Sequence, residues 1–191
     1  LLLVAKRQPA AGDLRLVMSI SKGVVDLERI GDEAVKIAKM ASRIAAQGKS
    51  SYGYAEVQHL SNQVRLMLNN ALEAFSQSNA EQAFEVMRND SVVNNEYQSA
   101  IRALMTYIME DSRQVSKVIN IMWILRSLER IGDHAQNVAE LVINYISGQD
   151  VRHSDYAMVE KAVQEANDRL AARQVSTMSV DDYEALESND D

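Results

Sequence analysis

Residues 27–32 read LERIGD, and residues 128–133 read LERIGD again, 101 positions later. The flanks have diverged. Aligned at that offset, residues 13–25 and 114–126 share only Val17/Val118 and Ile20/Ile121. Outward from the block, apolar or small residues recur in alternating steps of four and three. They are Ile20, Val24, Leu27, Gly31, Ala34, Ala38, Ala41 and Ala45, then Ile121, Leu125, Leu128, Gly132, Ala135, Ala139, Val142 and Ile146. A mean step of about 3.5 is that of a helix packed lengthwise on other helices. The spacing predicts long helices over about 12–47 and 113–147, each stopping near a glycine, Gly48 or Gly148, as helices commonly do. A repeat of this length makes the chain a tandem pair.

Composition agrees with an all-α fold. One Pro and seven Gly in 191 residues leave long helices uninterrupted, and 5% aromatics is poor for a β sandwich or barrel. The net charge is −7 and no Lys/Arg cluster stands out along the string, which argues against direct nucleic-acid binding. There are no cysteines, so disulfides, thiol nucleophiles and thiolate metal sites are excluded. No apolar run approaches the ~20 residues of a membrane span, and Leu1–Ala5 is too short for a signal core.

Between the repeats, apolar spacing predicts two further helices, over 54–77 and 80–110. Residues 76–79 are a polar break, and Glu110-Asp111-Ser112 supplies an N-cap for the helix that follows. Residues 54–147 therefore read as a complete three-helix bundle. The first copy begins late. Leu1 to Arg7 matches Leu104 to Asp111, so the first bundle is expected to be N-terminally incomplete, without one helix and most of a second. The expected organisation is 1–50 for a partial first bundle, 51–153 for the second bundle, and 154–191 for an extension. Within that extension 155–173 could form a short helix through Val159, Val163, Ala166 and Leu170. Residues 181–191, with six acids and no base, read as a disordered tail.

The repeated block places Glu28 four residues before Asp32, and Glu129 four before Asp133. On a helix such pairs share a face, and like charges there cost roughly 0.2–0.5 kcal/mol. A hard cation would reverse that sign, since carboxylate oxygens suit Mg, Ca, Mn and Fe. Asn137 extends the second row by one turn, whereas Lys36 stands at the matching place in the first. Asp90 and Asn94, again four apart, sit on the preceding helix and could complete the second site. The competing reading is that Arg29 and Arg130 neutralise the acids through i,i+3 pairs. Gly31 and Gly132 lie mid-helix, where Gly costs roughly 1 kcal/mol against Ala, and so mark close helix approach or room beside the carboxylates. Asp13 can serve its helix N-terminus. His134 points about 100° away from Asp133 around the helix, and His59 and His153 stand in no constellation. No nucleophile triad or phosphate loop is present, and position 131 is Ile where a di-iron Glu-x-x-His motif would need Glu.

The stretches LERIGDEAVKIA and LERIGDHAQNVAE, with RQPAAGDLRLVMSISK before the first, resemble the PhoU family of phosphate-transport regulators over about residues 1–153. The resemblance implies two similar three-helix bundles. It implies E(D)xxxD metal motifs, here Glu28/Asp32 and Glu129/Asp133, with divalent or iron-type ions and no organic cofactor. It also implies negative regulation of the phosphate-starvation response, exerted by linking the phosphate ABC transporter, through its ATPase subunit, to the sensor histidine kinase PhoR. The protein would then be a cytoplasmic dimer that reaches the membrane only through partners, and not an enzyme. Two alternatives remain open on the residues: a metal-dependent enzyme on a carboxylate helix bundle, and a plain helical interaction module without metal.

Overall fold

A computed structural model describes residues 11–48, 52–152, 154–169 and 171, with the side chains of 11–13 excluded. The described residues form helices joined by short turns, with no strand among them. Helix α1 spans Ala11–Ala46, α2 Tyr54–Gln77, α3 Ala80–Glu110 and α4 Val115–Ser147, with a 3-10 turn at Ser112–Gln114 before α4. Residues 156–169 form a fifth helix, α5. The match of Leu1–Arg7 to Leu104–Asp111, the side chains of Asp13 and Leu170, His153 and the acidic tail lie outside the described residues.

The boundaries have local causes. The Asn79 side chain accepts the Gln82 N–H at 3.0 Å and opens α3, and Asp111 accepts the Arg113 N–H at 3.1 Å. Such caps satisfy donors that a helix start leaves open. Gly148 ends α4 at φ 77°, a left-handed conformation that side chains resist. Gly53 is left-handed too, and a Cβ there would lie 2.9 Å from Ile121. It lets the chain enter α2 flush against the core.

Helices α2, α3 and α4 pack on one another as the expected bundle. The repeat seam of α4 faces inward: Ile121, Leu125, Leu128, Gly132, Ala135, Ala139 and Val142 are all buried. Gly132 permits this closeness. A Cβ there would come within 3.3 Å of Val93 on α3 and 3.8 Å of the Met67 sulfur on α2.

The equivalent seam of α1 behaves differently. Ile20, Val24 and Leu27 are 45%, 58% and 44% exposed, and a Cβ on Gly31 would meet nothing within 4 Å. Among the described residues only α2 flanks that side, where Leu72 and Phe75 share an apolar cleft of about 90 Å³ with Ile20, Val24 and Leu27. Helix α1 instead buries another stripe against α4, also stepped by four and three: Ser19, Gly23, Asp26, Ile30, Glu33, Ile37, Met40 and Ile44. The same repeat positions of α4 supply its partner face, including Asn120, Ile124, Ser127, Ile131, His134, Val138 and Leu141.

The two helices run antiparallel, with Gln47 hydrogen-bonded to Ser116 at one end and Arg15 beside Gly148 at the other. The polar contacts show a twofold relation between the copies. His134 Nδ1 lies 2.9 Å from Asp26 Oδ1. Since a carboxylate can only accept, the ring N–H donates. Ser127 donates to Glu33. Positions 26 and 127 correspond in the repeat, as do 33 and 134, so these are one pair of positions used twice in opposite order. Glu33, only 3% exposed, also takes Lys36 at 2.9 Å and Arg130 at 2.8 Å. Burial pushes its carboxyl up, but the donors Lys36 and Ser127 and the charge of Arg130 outweigh that and hold it below its ordinary 4.5. Arg130 thus pairs across the repeats. Its direct ion pair is with Glu33, and within its own helix its charge still favours ionised Asp133, the i,i+3 neighbour. Arg126 takes that role for Glu129, at 2.7 Å.

Helix α5 follows the expected apolar line. Val159, Val163 and Ala166 are buried, with Ala162. It is fastened to α3 by Asn167 to Glu81 at 2.9 Å and by Tyr156 to the Met87 carbonyl at 3.2 Å. Its end reaches α4 through Arg169 to the Ser147 carbonyl at 3.3 Å.

Replacing Glu33 with Ala leaves the buried Ser127 hydroxyl without its acceptor and takes the partner from exposed Arg130, which costs about 1–3 kcal/mol. Chemical denaturation at pH 7 should show that loss. Hydrogen exchange should place it in α1, with α2 and α3 protected as before. Because the folded carboxyl is lowered, the loss should shrink as pH falls below about 4.5.

Candidate metal centre

The second-copy acids converge between α3 and α4. The approach of Val93 to Gly132 sets the register, bringing Asp90 and Asn94 of α3 level with Glu129 and Asp133 of α4. Asn94 Nδ2 donates to Asp90 Oδ2 at 2.8 Å. The other oxygen, Asp90 Oδ1, is buried without a hydrogen bond, and so is Glu129 Oε2. Each orphaned acceptor of this kind costs roughly 1–3 kcal/mol.

The electrostatics run against ionisation. Burial raises the Asp90 carboxyl to about 6, helped by the charges of Asp133 and Glu140 and opposed by Asn94. Burial and Asp133 likewise raise Glu129, while Arg126 pulls it down. Burial raises Asp133 against Arg126 and Arg130. These shifts are what carboxylates held together without a counter-ion show.

Asn137 extends the row as expected, but its amide nitrogen donates to Asp26 at 3.0 Å. It therefore joins the acidic row to the α1–α4 contact and has only its oxygen left to offer. Asp133, Asn137 and Glu140 open into a cleft of about 570 Å³, walled on the far side by Val151, Arg152, Ser154, Asp155 and Tyr156. Glu140 is the member that sequence reasoning missed. The signal was its place in the row, three residues after Asn137.

The first-copy pair stands apart. Glu28 and Asp32 are exposed on α1, and no described helix faces them with further acids. Lys36, at the place of Asn137, is turned to Glu33. His134 turns to Asp26 in the α1–α4 contact while its charge still acts on Asp133, and His59 pairs with Glu96 at 2.6 Å across α2 and α3.

The donors therefore suit a hard cation in the second copy, where every candidate is an oxygen and two buried oxygens are unpartnered. Among the described residues, however, no three His, Cys, Asp or Glu side chains already converge as an ion-holding group. The acids are neighbours, not a preformed cage.

The PhoU domain family matches residues 1–41 and 57–142. The phosphate-specific transport system accessory protein PhoU homolog of Pseudomonas aeruginosa is 52% identical over 162 residues, 85% of this chain and 67% of that protein. The Escherichia coli K12 protein PhoU, of the same description, is 43% identical over 151 residues, 79% of this chain and 62% of that protein. The crystal structure of PhoU from Pseudomonas aeruginosa superposes with a TM-score of 0.75 at 54% identity, covering 77% of this chain and 70% of that one. That of the phosphate transport system regulatory protein PhoU from Streptococcus pneumoniae gives 0.68 at 25% identity, covering 75% and 67%. The chain thus spans roughly two thirds of the length of these relatives.

Asp90 titrates at about 6 when folded against an ordinary 3.8. Its raised value means the unfolded chain ionises first, so metal-free stability falls as pH rises from about 4 to 6 and stays reduced above that. Asp90→Asn removes this penalty. Melting curves in chelator should show the variant gaining more over the parent at pH 7.5 than at pH 4. Equal gains at both would contradict the assignment.

Proposed function

This chain belongs to the PhoU family, and from that premise we propose that it is a non-enzymatic adaptor that negatively regulates the phosphate-starvation response. It would connect the ATPase subunit of the phosphate ABC transporter to the sensor histidine kinase, in the cytoplasm and as a homodimer. The observation that carries the reading is the tandem repeat itself. Two homologous long helices meet face to face across an antiparallel, twofold-related contact, and such a paired arrangement suits bridging two partners. The names of the relatives as transport accessory proteins support the phosphate context. Among the described residues, no helix is long and apolar enough to cross a membrane, which suits recruitment to the transporter by protein contact. In a deletion strain with transporter and kinase intact, alkaline phosphatase should be expressed in phosphate-replete medium. Normal repression there would sink the proposal.

The adaptor reading includes a metal ion in the second copy, held by Glu129, Asp133 and the Asn137 oxygen of α4 with Asp90 and Asn94 of α3. The ion supplies the positive charge that this cluster of acids lacks. The first copy offers only Glu28 and Asp32, and two exposed carboxylates hold an ion weakly. Metal analysis of protein purified without chelator or His-tag tests this. Glu129→Ala with Asp133→Ala should abolish most bound metal, and Glu28→Ala with Asp32→Ala should leave the second-copy ion in place. Metal content indifferent to the first double variant would refute the site without touching the adaptor role.

A further inference from the structure

Five of the six basic residues of α1 stand in single file, with Lys39 off it. Arg15, Lys22, Arg29, Lys36 and Arg43 recur every seven residues. Seven residues are close to two helical turns, so the file runs along one edge of the helix for about 42 Å. Linear reading misses it because the five charges are dispersed in sequence; only winding the helix brings them into line. All five are exposed. Among the described residues only Lys36 pairs with a carboxylate. Lys22 also feels Asp150, which is already paired with Arg152.

The edge borders the contact with α4. Lys22 and Arg29 line one wall of a cleft of about 410 Å³ whose other wall includes Asn137, Glu140 and Leu141. Arg130 extends the charge onto α4, where it sits beside Glu33. Bundle packing leaves most of this edge open. At the matching positions of α4, whose bundle has all three helices described, Ser116, Trp123 and Arg130 remain exposed, and Asn137 and Asn144 are half-buried.

We infer that this edge is a docking surface for an acidic polypeptide segment, and that its occupant is residues 181–191 of the same chain. Charge is the first argument. In a protein of net charge −7, the stripe carries five positive charges, and the stretch DDYEALESNDD carries six negative ones and no positive one. Chain geometry is the second. Arg169, near the end of α5, bonds the Ser147 carbonyl, and the next residue along α4, Gly148, lies against Arg15. Helix α5 thus ends beside the first residue of the stripe. Reach is the third. Residues 172–180 span up to about 30 Å extended and residues 181–191 about 36 Å, enough to lay the acids along the file. Tethering gives the tail an effective concentration of order millimolar, so an acidic segment from another protein would have to displace it.

The chain has no cysteine, so a nitroxide on Ser188→Cys reports on one position. In the full chain, amide resonances of α1 between Arg15 and Arg43 should broaden, and those of the outer face of α2 should not. The broadening should vanish in about 1 M salt, where screening shortens to ~3 Å. It should also vanish when Lys22, Arg29 and Arg43 are all changed to Glu. Changing Asp181, Asp182, Glu184 and Glu187 to their amides leaves the helical body untouched and should have the same effect. Absence of broadening along α1, or broadening that survives the amide variant, overturns the inference. Broadening seen only between mixed labelled and unlabelled copies places a second copy's tail there and overturns the intramolecular assignment.

Discussion

Two carboxylates of α1, Asp26 and Glu33, are buried against α4, and the arrangement of the two repeats follows from how they are satisfied. A buried charge without partners is costly, so such groups accept only the register that supplies donors. Asp26 finds His134 and Asn137, and Glu33 finds Ser127, Arg130 and Lys36. Sliding α1 along α4 by one turn would remove most of these donors at once. The apolar residues between them, such as Ile30 and Ile37, provide adhesion without that selectivity. The polar positions therefore specify which face and which register, much as an isolated polar residue does in a coiled coil.

The same contact reaches the acidic row. Asn137 donates to Asp26 while standing one turn beyond Asp133. His134, adjacent to Asp133 in sequence, is anchored on α1. Any change that draws Asp133 and Asn137 toward an ion acts on residues that also hold the two repeats together. The acidic row is itself poised for such a change: burial and mutual repulsion raise Asp90, Glu129 and Asp133, and two buried oxygens have no donor. Positive charge delivered there relieves a cost that the fold otherwise carries.

Charge is distributed unevenly over the surface. Acids gather where α3 meets α4, and bases line the edge of α1, so the helix pair presents opposite signs on neighbouring parts of the molecule. The net charge of −7 conceals this. A composition total cannot report a stripe whose members are separated by seven residues, because its meaning depends on the helix that aligns them.

Much of the architecture was legible in sequence. The four long helix spans came out within one or two residues because apolar period and capping residues are local properties. The repeat exposed the tandem design, and oxygen donors four apart marked the acidic rows. What identical sequence could not determine was the fate of identical blocks. LERIGD in α4 meets α2 and α3, so Leu128 and Gly132 are buried and Glu129 loses its water. LERIGD in α1 meets only an open apolar cleft on that side, shared with Leu72 and Phe75 of α2, so Leu27, Gly31 and Glu28 stay exposed. The residues that join the copies, Asp26, Glu33 and His134, sit on a regular stripe, but spacing does not reveal their pairing because their partners lie about a hundred positions away. Periodicity belongs to a helix alone; burial, shifted acidity and register belong to what packs against it, and only the tertiary structure decides that.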